Sequence, residues 1–356
     1  MTGGSTPFYL TTEKRPWLSP AGVPRRAAIS AFGFGGSNFH AVLEEYLPLK
    51  QEVDWDGAVQ ILPFAAANPG ELEEALSEFP TDLPWDELRA RALALRSIFE
   101  PSARCRLVLV LERDRTSIGS LFANAKAMLR GNKGTNWQTP DGAFFSSAPG
   151  SGKIGFIFPG QGSQYVGMQR DLACCFPEMF TQVAAADVGF KSRGETRLSD
   201  LIYPKQSFGA ASREQQETDL RATDIAQPAI GALSLGSLRL LESFGLCPDA
   251  VAGHSYGELT ALCAAGAIDE LSFHDLSRLR GALMASGEGD RGGMLAVPAP
   301  LDVVEAVMTE EKLELVIANR NSPSQAVLSG KSSEIDRAFT AFSARKFQCK
   351  KLPVAA

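Results

Sequence analysis

The chain is poor in the side chains that most often hold metals or carry protons. Its 356 residues include three histidines, His40, His254 and His274. The six cysteines, Cys105, Cys174, Cys175, Cys247, Cys263 and Cys349, are scattered without Cys-x-x-Cys spacing, which leaves no structural zinc pattern. No basic segment followed by an apolar stretch of signal type stands at the N-terminus, so the thiols read as reduced and the compartment as cytoplasmic. No run approaches the ~20 apolar residues of a membrane-spanning helix, and no membrane partner is expected. Positive charge is also short, with 35 Lys and Arg against 41 Asp and Glu, a net charge of −6 and no basic cluster. Attachment to nucleic acid or anionic lipid by charge alone is thereby excluded. What remains is ordinary globular material, 44% hydrophobic and 21% charged. At roughly 100–200 residues per domain it makes two to three domains.

Hydrophobic periodicity divides the chain. A glycine-rich turn at 33–36 lies between β-prone stretches at 27–32 and 38–44. Strand signals at 61–65 and 106–111, with helices at 69–79, 84–99 and 117–129, predict a small α+β unit. A Ser-, Gly- and Pro-rich stretch at 146–153 precedes an apolar strand at 154–158, after which helical patterns run to 241, the longest over 223–241. From 294 to 354 the order is strand, helix, strand, strand, helix, strand, that of a ferredoxin-like unit.

Between these lies the most informative segment. A short strand at 249–252 runs into Gly253-His254-Ser255-Tyr256-Gly257, and a helix follows at once. Strand, sharp glycine turn and helix form a nucleophile elbow, which presents Ser255 Oγ at a helix N-terminus beside backbone amides able to stabilise an oxyanion. A purely structural Gly-Ser turn is the competing reading. Gly150-Ser151-Gly152-Lys153 lacks the earlier glycine and the Ser/Thr of a phosphate-binding loop, and Gly160-x-Gly162 lacks the third glycine of a dinucleotide fingerprint.

Four motifs in register, Phe158-Pro159-Gly160-Gln161-Gly162-Ser163-Gln164, Gln227-Pro228-Ala229, Gly253-His254-Ser255-Tyr256-Gly257-Glu258 and Arg280-Gly281-Ala282-Leu283-Met284, resemble the malonyl-CoA:acyl-carrier-protein transacylases and the acyltransferase domains of polyketide and fatty acid synthases. Pro7-Phe8-Tyr9-Leu10 and Ser30-Ala31-Phe32-Gly33-Phe34-Gly35-Gly36-Ser37-Asn38-Phe39-His40 resemble the end of a ketosynthase domain. Residues 253–269 and 224–241 look closer to iterative synthases of the enediyne or polyunsaturated-fatty-acid kind than to modular ones. The resemblance implies an α/β fold with a hydrolase-like parallel-sheet core and a ferredoxin-like subdomain, preceded by a small α+β linker domain. The expected divisions are a ketosynthase remnant at 1–50, the linker domain at 51–150, an incomplete large acyltransferase subdomain at 151–290 and its small subdomain at 291–356.

By that resemblance Ser255 is the nucleophile, and the backbone amides of Gln161 and Tyr256 form the oxyanion hole. Gln227 lines the same pocket, although a helix-terminal residue satisfied by local backbone is its plain alternative. Arg280 grips the free carboxylate of a malonyl group as a bidentate fork, against the alternative of an ion pair with Glu258. His254 is expected to face away from Ser255 as a pocket wall, His40 to be structural, and His274 to lie in a loop before the Arg280 helix. The bulk of Tyr256 beside the nucleophile suggests an unbranched acyl donor. The family's general base, a histidine after the last ferredoxin-like strand, is not among these three, so the chain is expected to be close to inactive as given. No metal or cofactor is expected. Malonyl-CoA is the implied substrate. An acyl carrier protein with its phosphopantetheine and the other domains of the same synthase are the implied partners. An esterase- or thioesterase-like hydrolase and a non-catalytic docking platform are the rival functions.

Overall fold

The computed structural model describes residues 9–20, 22–46, 53, 56–148, 152–190, 196–207, 209–286, 290 and 292–352. Pro7 and Phe8, parts of the expected divisions near 50, 150 and 290, and the end of the last expected strand lie outside the described residues.

The N-terminal hairpin pairs β1 (Arg26–Phe32) with β2 (Asn38–Glu44), antiparallel from Arg26↔Glu44 to Phe32↔Asn38, and every residue of both strands is exposed. His40 Nδ1 lies 2.7 Å from Ser30 Oγ across this ladder.

The next unit consists of β3 (Val59–Ala66), α1 (Pro69–Glu78), α2 (Trp85–Ile98), β4 (Cys105–Glu112), α3 (Ile118–Gly131), β5 (Asn136–Gln138) and β6 (Ala143–Ser146). Its antiparallel sheet has the order β3-β4-β6-β5. The strict alternation of β4 turns Cys105, Leu107, Leu109 and Leu111 to one buried face, where Leu72 and Leu76 of α1 and Leu121 and Phe122 of α3 pack on them. Asn68 caps α1 by accepting from Glu71 N at 3.1 Å, while the Glu71 carboxylate accepts from Ala67 N. The expected α+β unit is present, with two strands more than the periodicity signalled. β5 and β6 have three and four residues, too few to establish a period of two.

The third region begins with β7 (Gly155–Phe158), followed by α4 (Arg170–Cys175), α5 (Pro177–Asp187), α6 (Leu198–Ile202), α7 (Ala210–Arg221), α8 (Thr223–Ser243), β8 (Ala250–Gly253), α9 (Gly257–Ala264) and α10 (Glu270–Ala285). β7 and β8 are parallel, Gly155↔Ala250 through Phe158↔Gly253. α8 is apolar on nearly all sides because it is buried on nearly all sides, packed between α5, α9 and α10. His274 belongs to α10 and not to a preceding loop. The charged and polar side chains of 274–278 mask a helix that Asp269 caps by accepting from Ser272 N at 2.7 Å.

The last unit, β9 (Gly293–Val297), α11 (Leu301–Glu310), β10 (Val316–Ser322), β11 (Gln325–Gly330), α12 (Ser332–Ala344) and β12 (Lys350–Leu352), has the sheet order β10-β11-β9-β12, all antiparallel. This is the ferredoxin-like arrangement expected, closed over Leu295, Val297, Leu328, Ile335 and Phe342.

Candidate active site

The end of β8 turns into α9 through a strained residue. Ser255 has φ 54°, the left-handed region that a non-glycine residue enters at a cost of roughly 1–2 kcal/mol. Packing enforces it. A Cβ on Gly257 would collide with the carbonyl of Phe158, and one on Gly160 would lie 2.5 Å from His254 O. The β7 strand and the loop after it therefore press directly on the elbow. His254 N donates to Phe158 O at 3.1 Å, Gly257 N to His254 O at 2.9 Å and Glu258 N to Ser255 O at 3.1 Å, which ties the turn to both neighbouring elements. Among the described residues the backbone amides of Gln161 and Tyr256 have no hydrogen-bond partner. Ser255 itself is half-buried.

A chain of polar side chains continues from the Gln161 loop into the helices. Gln161 Nε2 donates to Thr223 Oγ1 at 3.1 Å, and Gln227 Nε2 lies 3.4 Å from Gln161 Oε1 and 3.2 Å from Met284 Sδ. Arg280 donates to Gln227 Oε1 at 2.6 Å. Gln227 is completely buried on α8, and its partners are these side chains and not local backbone. α10 comes close enough for this contact because it crosses the start of α8 at Gly281, where a Cβ would stand 3.0 Å from both Thr223 O and Asp224 Cα.

Arg280 makes no ion pair with Glu258. Among the described residues no carboxylate lies within 4.0 Å of its guanidinium. Its other neighbour is the ring of Tyr256, whose centroid is 5.9 Å away. A half-buried guanidinium held by a neutral amide and an aromatic face keeps its full positive charge available to a carboxylate.

Tyr256 departs from expectation. Its side chain is wholly buried among Phe158, Ile230, Leu235 and Phe273, so its bulk does not narrow the space beside Ser255. Burial pushes its phenol well above the ordinary tyrosine range. The residue after an elbow nucleophile starts a helix, and here that helix position points inward. His254 is exposed, and its Nε2 donates to Asn321 Oδ1 at 3.1 Å, linking the elbow to β10 of the ferredoxin-like unit. Among the described residues no histidine or carboxylate is hydrogen-bonded to Ser255 Oγ.

Thr223, Ser277 and Asn321 take part in this arrangement without having been singled out in the sequence. Ser277 had a signal: it is a hydroxyl three residues before Arg280 on the same helix. Asn321 had none. A groove of about 1110 Å³ elsewhere, lined by Arg15, Arg25, Arg26 and Arg197, is not a competing site, because those arginines are paired with Asp200, Glu45, Glu44 and Asp200 respectively.

Compared with known proteins, the chain matches the acyl transferase domain family over residues 155–355, more than half its length. It belongs to that family. Within this acyltransferase the match spans the elbow, the Gln227 and Arg280 helices and the ferredoxin-like unit. One component of a polyunsaturated fatty acid synthase from Thraustochytrium sp. is 30% identical over 353 residues, 91% of this chain and 12% of that protein. Polyketide synthases recur among the other relatives. The chain thus spans a small part of the relatives it matches. Of solved structures, the acyl transferase domain of ZmaA has the same fold, with a TM-score of 0.65 at 22% identity, covering 84% of this chain and 65% of that one. A malonyl-transacylase solved with its type II PKS acyl carrier protein is similar at 30% identity and a TM-score of 0.50, covering 58% of this chain and 64% of that one. No helix among the described residues is long and apolar enough to cross a membrane.

Proposed function

We propose that this acyltransferase moves a malonyl group from coenzyme A to Ser255 and on to the phosphopantetheine thiol of an acyl carrier protein, within a synthase making a polyketide or fatty acid. The observation that carries the reading is the Arg280–Gln227 pair, a cation without a carboxylate partner that lies over the ring of Tyr256, the residue following the elbow serine. Ser255 Oγ attacks the thioester carbonyl, and the oxyanion rests on the amides of Gln161 and Tyr256. The coenzyme A thiolate then leaves as the carbonyl re-forms. The Ser255 proton passes to a general base, whose help is typically worth about 10²–10⁴-fold. In the second half-reaction the carrier thiol attacks the oxyester and Ser255 is regenerated. Arg280 holds the distal carboxylate throughout, which favours a dicarboxylic donor over acetyl. The solved complex of a malonyl-transacylase with its carrier protein supports the choice of acceptor. The other domains of a synthase are the remaining partners, given how small a share of its relatives the chain spans.

Intact-mass measurement after incubation with malonyl-CoA tests the reading. The expected result is a malonyl adduct that maps to Ser255, is absent from S255A and discharges onto a holo carrier protein. Release of free malonate in place of a stable adduct would make the protein a hydrolase. No adduct at all would leave a docking platform.

A further inference from the structure

We propose that the side chain of Tyr256 is a positioning residue for the Arg280 guanidinium and thereby sets how strongly the site prefers an acyl group bearing a carboxylate. The inference rests on the reading of Arg280 as a carboxylate clamp. It assigns the tyrosine two separate jobs, the backbone amide facing the reaction and the side chain working from below.

Three helices converge on the tyrosine. Its hydroxyl lies 2.6 Å from Ser277 Oγ on α10, and Ser277 spends its own hydrogen on Phe273 O at 2.7 Å, so the tyrosine is the donor. On α8, Gly231 forms the recess for that hydroxyl, and a Cβ there would fall on the oxygen. The ring itself carries Arg280 on its face at 5.9 Å, within the range of a cation–π contact. The spacing along each helix completes the case. Ser277 and Arg280 are three residues apart on α10, and Gln227 and Gly231 are four apart on α8, so each helix contributes one residue to the seat of the tyrosine and a neighbour, one turn away, to the clamp. A ring held this way cannot shift without moving the plane on which the guanidinium lies or the helices that bring Gln227 to it.

The test is equilibrium binding of malonyl-CoA and acetyl-CoA to the full chain carrying S255A, which cannot be acylated and serves throughout as the unsubstituted reference, and to its further variants, read as the ratio of the two Kd values. That ratio is insensitive to a general loss of folded protein. The unsubstituted chain is expected to favour malonyl-CoA and R280A to lose the preference. Y256L, which removes ring and hydroxyl, should lower the ratio about three- to tenfold. Y256F and S277A should each lower it about two- to threefold, with the double variant no worse than either single, because both remove the same hydrogen bond. If Y256L does not fold, the Y256F, S277A and double-variant ratios carry the test. A ratio that stays at its unsubstituted value in the folded Tyr256 and Ser277 variants, while R280A abolishes it, overturns the positioning role and leaves the clamp standing. Absence of any malonyl preference in the unsubstituted chain overturns the clamp, and the positioning role with it.

Discussion

The α+β unit of residues 59–146 and the elbow region around β7 and β8 handle their apolar surface in opposite ways. In the first, a four-stranded sheet and three helices close over a core in which Leu62, Leu107, Leu109 and Leu111 are fully buried. In the second, a pair of parallel strands of four residues each leads into the Ser255 elbow, and Ile157 on it is 81% exposed. Stability and the proposed chemistry are therefore housed separately. The well-packed unit bears none of the expected site residues. The elbow is held by close backbone approaches, backbone hydrogen bonds and one strained dihedral, anchored from beneath by the buried Tyr256 ring.

That contrast can be broken at several points. S255A is expected to abolish the covalent adduct entirely while leaving the urea midpoint of unfolding in place. A large shift in midpoint would mean that the elbow serine supports the fold. L109A, which opens a cavity in the closed core, should cost about 2–5 kcal/mol, whereas I157A should stay within about 0.5 kcal/mol. Equal losses in urea titrations would erase the distinction between the two regions. S255G should be more stable than S255A by about 1 kcal/mol, since only glycine relieves the left-handed backbone at that position. A reversed order would remove the strain from the account of the elbow.

The smallest effect concerns His274, half-buried on α10, with Gln182 3.2 Å from its Nε2 and the carboxylates of Glu270 and Asp275 nearby. Burial lowers its pKa below the ordinary 6.5, with the two carboxylates opposing the shift. A base whose folded pKa is depressed binds fewer protons folded than unfolded as pH falls through its unfolded value. Its contribution to stability is thus complete above about pH 6.5 and declines below it. H274Q should flatten this acid limb of the stability profile, and an unchanged limb in the variant would assign it to other groups.

Much of this was legible in the residues because local signals and global packing agree. The elbow reads directly from Gly253 to Gly257, since Gly257 is required by the backbone at Phe158 and Gly253 by the start of α9 folding back against it. The ferredoxin-like order reads from alternation and helical period, and each of its elements forms where the pattern lies within about three residues. Tyr256 was misjudged because sequence adjacency to the nucleophile says nothing about which way a helix-starting side chain points. The plain reading of Gln227 failed for a related reason: its partners Arg280 and Met284 are 53 and 57 residues away, and only the crossing of α10 over α8 at Gly281 brings them together. His254 is exposed, and its bond to Asn321, 67 residues distant, was written in no local pattern.

The positive φ of Ser255 also limits which mutations the position can survive. A β-branched side chain fits the left-handed region poorly, so threonine, the nearest chemical relative of serine, is disfavoured there by backbone geometry before its reactivity is ever tested. Cysteine, unbranched, meets no such barrier, and would replace the proposed oxyester intermediate by a thioester. The backbone at one residue thus acts as a filter on chemical drift: the lineage can exchange oxygen for sulfur in a single step, but the path to a threonine nucleophile leads first through remaking the turn.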